Sequence, residues 1–249
     1  MAEDDFNEVF QELSCIPADP PKKREQCHRC RRPLTVCWCP FLPSEPLQIN
    51  STIVILQHPG EEKRCLRTAP MLEYSLPKAN FLLLKGRRFS SSNNERLKHI
   101  FASPNTLLCY PGPRAVSLET LPIAKETGDG YNIIILDGTW PQAKSLYANC
   151  AELKKVKQVQ INSKMASEYV IRTQPTETAL STVETAAEAL SILEGNPTLK
   201  EVLLQPLKAL CGFQLAHGAL THQSKEFLIK NGLHKSQMNF YIPQKEYLV

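Results

Sequence analysis

Four of the nine cysteines fall close together, as Cys27-x2-Cys30-x6-Cys37-x-Cys39. Thiolates at that spacing can enclose one ion tetrahedrally, and an all-sulfur shell with no open position suits structural zinc. Arg24, Arg29, Arg31 and Arg32 flank the cluster; their charge would favour the thiolates and offset an anionic sulfur cage. These arginines have two readings, a solvated charge-balancing rim or a grip on a phosphate backbone. Trp38, between two of the cysteines, could stack on a base or simply cover the knuckle. His28 sits between two ligands and is expected to face outward.

The second chemical signal is Asp137-Gly138-Thr139-Trp140, which follows the apolar run Ile133 to Leu136. A carboxylate just past a buried strand is expensive unless it is hydrogen-bonded or used. Gly138 would let backbone approach a ligand, whereas Thr139-x-x-Gln142, with Pro141 in the first turn, also reads as a helix-capping box. Ser181-x-x-Glu184 carries the same ambiguity. The N–H groups of that helix start, or Arg172, could hold a ligand carboxylate. Gln57-His58-Pro59-Gly60-Glu61-Glu62, with Arg64 and Arg67, is a polar loop of binding rather than catalytic character. Lys85, Arg87 and Arg88 form a second basic knot. His217, grouped with Phe213, is expected in the core.

These residues must be positioned by the alternation that starts at Ser51. Short β-rich apolar runs alternate with helical periodicity, the pattern of an α/β body with a buried, largely parallel sheet and flanking helices. Strands are predicted at Thr52–Gln57, Asn80–Leu84, Thr106–Tyr110, Asn132–Leu136 and Lys157–Ile161. Three of them run into Gln57-His58-Pro59-Gly60, Tyr110-Pro111-Gly112 and Asp137-Gly138-Thr139-Trp140. Ligands bind beyond the carboxyl ends of strands in such sheets, so these loops should converge on one site. The last third is helical: Ser181–Glu194 stopped by Gly195, Leu199–Leu220 kinked or broken at Pro206, and a short segment Ser224–Lys230. The expected organisation is an acidic flexible tail at 1–21, a zinc knuckle at 22–40, a connector at 41–50, a main domain at 51–222 and a C-terminal helix and tail at 223–249.

A chain of 249 residues can bury a sizeable core. With 42% apolar and 22% charged residues it is neither disordered nor fibrous. No apolar run approaches the ~20 residues of a membrane span, so no membrane partner is expected. No secretory signal is visible, and clustered cysteines then point to a reducing compartment, cytoplasm or nucleus. The net charge of +4 permits an anionic partner without demanding one. There is no Gly-x-Gly-x-x-Gly, Walker loop, His-Glu-x-x-His or nucleophile elbow, which leaves the common dinucleotide, nucleotide, metalloprotease and hydrolase readings without support.

The cysteine knuckle, Gln57-His58-Pro59-x-Glu61, Tyr110-Pro111-Gly112, Asp137-x-Thr139-Trp140, and Tyr169-Val170-Ile171-Arg172 through Leu180-Ser181-Thr182-x-Glu184 together resemble the DTW-domain proteins. They occur in the family's order from about Cys27 to Leu220, and Cys-Trp-Cys-Pro resembles one of the family's two animal paralogues. That resemblance implies a knotted SPOUT-like fold bound to S-adenosylmethionine, a topology that ordinary rules of chain connection would refuse. It also implies transfer of the 3-amino-3-carboxypropyl group to uridine N3 in the D-loop of tRNA, with 5′-methylthioadenosine as by-product. Asp137 would be the catalytic base. Tyr110, Pro111, Gly112, Asp137, Gly138, Thr139 and Trp140 would line the cofactor cleft, with Ser181, Thr182 and Glu184 at the amino acid end. Arg24, Arg29, Arg31, Arg32, His58, Arg64, Arg87, Arg88 and Arg172 would face tRNA. A monomer or a homodimer is compatible with this picture. Competing readings are a SPOUT-type RNA methyltransferase and a non-enzymatic zinc-knuckle RNA-binding protein.

Overall fold

The computed structural model describes Gln11, Ser14 and residues 24–162 and 166–233. The rest of the acidic tail and the residues after 233 lie outside the described residues, as do 163–165. The chain divides into two units, 1–37 and 38–249. In the first, Gln26 and Pro33 form an antiparallel bridge. Cys27 N–H donates to Arg32 O at 2.8 Å and Arg31 N–H to Cys27 O at 2.9 Å, which closes a tight reversal around Arg31 in the left-handed region (φ 58°).

The second unit is built on a parallel sheet of β1 (Thr52–Gln57), β2 (Phe81–Lys85), β3 (Thr106–Cys109), β4 (Val116–Ser117), β5 (Asn132–Asp137) and β6 (Lys157–Gln160), ordered β2-β1-β5-β3-β6-β4. Five of these match the strands expected from sequence to within a residue at each end. The two-residue β4 was missed, because so short a segment carries no periodicity. Helices are α1 (Ala69–Ser75), α2 (Glu95–Ala102), α3 (Ala124–Thr127), α4 (Trp140–Ala148), α5 (Thr182–Leu193), α6 (Thr198–Ala216) and α7 (Lys225–Lys230).

Ile53 to Leu56 and Ile133 to Ile134 are wholly buried, as expected of strands covered on both faces. The pleat sends alternate residues to opposite faces. On one face Val54, Leu56, Leu108 and Ile134 join Leu97 and Ile100 of α2 and Leu146 of α4 in a single apolar cluster. α5 packs against β5, α1 and α6.

Two sequence expectations change. α6 is not broken at Pro206 but continues through it, since neighbouring apolar residues Leu203, Leu204, Leu207 and Leu210 are all buried and hold the helix across the missing hydrogen bond. His217 is not a core residue: it is the exposed residue after α6, its ring Nδ1 2.7 Å from Phe213 O. The stop after α5 is as expected, with Gly195 at φ 63°.

The end of α5 also fixes the start of the sheet. The buried Glu194 carboxylate accepts from Ser51 N–H at 2.8 Å, Asn50 N–H at 3.2 Å and the Asn50 amide at 3.1 Å. Glu194→Ala strands these donors, Ser51 N–H in full burial. Chemical denaturation is expected to show a loss of about 2–4 kcal/mol at unchanged m-value.

Candidate functional site

Parallel strands deliver their carboxyl ends to one side of the sheet. β1 and β5 are adjacent and in register, Gln57 opposite Asp137. The chain leaving β1 is tied back at once, because His58 N–H donates to Asp137 O at 2.8 Å. Asp137 is 9% exposed, and its carboxylate is held from two directions. Oδ2 accepts from the Gln57 amide at 2.7 Å and Oδ1 from the Thr182 hydroxyl at 2.5 Å. Gln57 belongs to β1 and Thr182 opens α5, so a single side chain gathers three segments far apart in sequence.

Thr139 caps α4. Its N–H donates to Gln142 Oε1 at 2.7 Å and its hydroxyl accepts from Gln142 N–H at 3.4 Å, a complete capping box. A Cβ on Gly138 would stand 3.0 Å from Gln142 Cβ and 3.4 Å from His58 Cβ, so the loops after β1 and β5 meet directly above that glycine. Trp140 is 44% exposed at the first turn of α4.

Glu184, 4% exposed, accepts from Ser181 N–H at 2.8 Å and Ser181 Oγ at 2.6 Å. It also accepts from Glu168 N–H at 2.6 Å and from Ser167 Oγ at 2.8 and 3.0 Å. This carboxylate thereby binds the start of α5 to the segment before Tyr169. The Tyr169 hydroxyl donates to Leu66 O at 2.6 Å, and burial pushes it up to about 12, which keeps it neutral. Arg172, half-buried, partners that hydroxyl and acts electrostatically on Glu61.

At the end of β3, Tyr110 stacks on Tyr147 of α4 with centroids 4.7 Å apart and planes 15° from parallel. The Tyr147 hydroxyl accepts from the Gln158 amide at 2.5 Å, and Gln158 Oε1 lies over Gly112. Pro111 is exposed beside it. Burial pushes the neighbouring Cys109 thiol up to about 12, so it is no nucleophile at neutral pH.

The structure thus brings His58, Asp137, Gly138, Thr139, Ser181, Thr182, Glu184 and Arg172 into one neighbourhood with Gln57 and Glu61. Sequence reasoning placed Gln57 and Glu61 in a polar binding loop but did not foresee that both are buried beside Asp137. Glu61 is 4% exposed although it lies in an exposed turn, Pro59–Glu61. Burial raises its carboxyl above the ordinary value, Arg64 opposes that, Asp137 adds to it, and Arg172 and His58 draw it back. The available signal was a carboxylate between two loop glycine-proline positions and two arginines, which composition cannot separate from a solvated turn. Arg64 is half-buried, whereas Arg87 and Arg88 are exposed just after β2. Arg24, Arg29 and Arg31 are exposed, and Arg32 Nε donates to Val36 O at 3.1 Å.

The Sγ atoms of Cys27, Cys30, Cys37 and Cys39 all lie within 4.8 Å of one another, with Cys30 and Cys37 3.6 Å apart. Tetrahedral zinc–sulfur bonds of about 2.3 Å put sulfurs roughly 3.8 Å apart, so this donor set fits a metal ion. Trp38 does not offer a stacking surface: it is 3% exposed and tilted against Tyr74 of α1 at 6.3 Å.

The Asp137 clamp yields a test of the site's architecture. Thr182→Val preserves shape but removes one of its two donors, and denaturant unfolding is expected to show a loss of about 1–2 kcal/mol.

The DTW-domain profile matches residues 24–215. A tRNA-uridine aminocarboxypropyltransferase 2 of Drosophila melanogaster is 48% identical over 226 residues, 90% of this chain and 89% of that protein. One of the same name from Macaca fascicularis is 46% identical, covering 95% of this chain and 78% of that protein. A more distant relative, tRNA-uridine aminocarboxypropyltransferase A of Arabidopsis thaliana, is 26% identical over 79% of this chain and 83% of its own length. No solved structure matches. With the profile spanning the cysteine knuckle, every strand and the residues around Asp137, the chain belongs to the DTW-domain family.

Proposed function

We propose that this protein transfers the 3-amino-3-carboxypropyl group of S-adenosylmethionine to N3 of a D-loop uridine in tRNA, releasing 5′-methylthioadenosine. The observation that carries the reading is identity of 45–48% with relatives named for this activity, over nine-tenths or more of the chain. The geometry around Asp137 supports it. Uridine N3 carries a proton and lies on the pairing edge, so the base must be splayed out and deprotonated as N3 attacks the carbon attached to sulfur. The C–S bond breaks, its electron pair stays on sulfur, and the proton goes to Asp137. A carboxylate oriented by Gln57 and Thr182 is suited to that task, and general base catalysis supplies about 10²- to 10⁴-fold. Alignment of nitrogen, carbon and sulfur supplies more.

In this reading residues 51–222 are the catalytic domain, residues 22–40 the zinc knuckle, and 41–50 and 223–249 the connector and C-terminal segment. Tyr110, Pro111, Gly112, Gly138, Thr139 and Trp140 line the donor cleft. The fold is a knotted SPOUT type, supported by the strand order and by the chain's return from β6 to the centre of the sheet at Thr182. Zinc occupies the cysteine cluster; the arginines that flank it in sequence, and separately the exposed Arg87 and Arg88 after β2, carry the charge that would meet phosphates. A reducing compartment, cytoplasm or nucleus, suits that thiolate site.

Unmodified tRNA incubated with the protein and S-adenosylmethionine, then analysed by mass spectrometry, is expected to gain the aminocarboxypropyl mass on uridine while methylthioadenosine is released. A methyl gain with S-adenosylhomocysteine would establish a methyltransferase instead, and bound but unchanged tRNA a non-enzymatic RNA-binding protein. Asp137→Asn is expected to lower the rate by about 10²-fold or more, with tRNA binding retained in a mobility-shift assay.

Elemental analysis is expected to find about one zinc per chain, reduced in Cys30→Ser, because four thiolates form one closed tetrahedral shell. A chelator should release it and weaken tRNA binding more than it weakens binding of the nucleoside donor.

A further inference from the structure

Beside Asp137, two buried acceptors have no hydrogen-bond partner among the described residues: Gln57 Oε1 and Glu61 Oε1. Gln57 is fixed there by its amide nitrogen on Asp137, at 2.7 Å, and Glu61 is within electrostatic reach of the same carboxylate. Arg64 Nε forms an ion pair with Glu61 Oε1 at 3.1 Å, and that oxygen makes no hydrogen bond among the described residues. Native interiors leave few such atoms, and each needs an explanation.

What the two oxygens lack is hydrogen-bond donors, and one group with several N–H donors could serve both. A lone uracil N3–H could satisfy one acceptor, whereas an ammonium carries three N–H groups and a charge. The surroundings have the matching opposite pole, since Arg64 and Arg172 both act on Glu61. Adjacent carboxylates and guanidiniums are the complement of a zwitterion, and the amino acid end of S-adenosylmethionine is one. We infer that Gln57 and Glu61 form the subsite for the α-ammonium of the transferred aminocarboxypropyl group, beneath the Pro59–Glu61 turn, with Arg172 facing its carboxylate. This rests on the donor assigned under the proposed function. The raised proton affinity of Glu61 fits a carboxylate awaiting a cation, with Arg64, Asp137, Arg172 and His58 as the charged groups around it.

The test compares S-adenosylhomocysteine with its deamino analogue by calorimetry. Wild-type protein is expected to bind the amino form at least about 10-fold tighter, and Glu61→Gln to bring the two within about 3-fold. Glu61→Asp, which keeps the charge but withdraws the oxygen, should retain an intermediate preference and shows that the loss is not unfolding. The wild-type preference should shrink as pH falls and Glu61 gains a proton, a limb absent from Glu61→Gln. A Glu61→Gln protein that discriminates as well as wild type overturns the subsite. So does unchanged discrimination with lost transfer, which would make Glu61 a proton-transfer group. A wild-type protein that binds neither ligand overturns the donor itself.

Discussion

A buried carboxylate must be given donors, and at Asp137 that requirement organises the molecule. Its two oxygens take one donor from the end of β1 and one from the first residue of α5, while its backbone carbonyl takes the N–H of His58. Without these partners the charge would lie at the end of a strand whose preceding residues are almost entirely excluded from water. The same bonds define where the loops after β1 and β5 can run, so the electrostatic requirement and the shape of the site are one constraint.

α5 extends that constraint across the fold. Thr182 at its start reaches Asp137, Glu184 in its first turn gathers Ser167, Glu168 and Ser181, and Glu194 at its far end gathers Asn50 and Ser51. Between these anchors its apolar face, Val183, Ala186, Ala187, Leu190 and Leu193, is buried. Apolar burial supplies most of the helix's stability, but it tolerates sliding. Polar anchors at both ends do not, and they set the register of α5 against β1 and β5. The segment carrying Tyr169 and Arg172 is fixed by the same helix.

The cysteine cluster makes a different physical bargain. Its local frame is a short reversal around Arg31 and a single bridge, Gln26 to Pro33, with little apolar burial beyond Cys27 and Trp38. A metal ion held by that donor set would add folding free energy that so small a core does not supply.

The sequence by itself determined the parallel sheet, because Thr52–Gln57, Asn132–Leu136 and their fellows are short, β-rich and bounded by loop residues. It determined both capping-box sites, the stop at Gly195 and the metal-ligand spacing, all of which are local features readable within a few residues. Family likeness across the motifs was legible in the same way. Only the tertiary structure decided that Gln57 faces Asp137, since that follows from β1 and β5 becoming neighbours in register. It alone turned Glu61 inward beneath an exposed turn, buried Trp38 against Tyr74, left His217 in solvent and carried α6 through Pro206. The physical reason is common to all of these. Propensity and periodicity are set by near neighbours along the chain, whereas the cost of burying a carboxylate or an aromatic ring is set by segments brought alongside from far along it, 80 residues between Gln57 and Asp137.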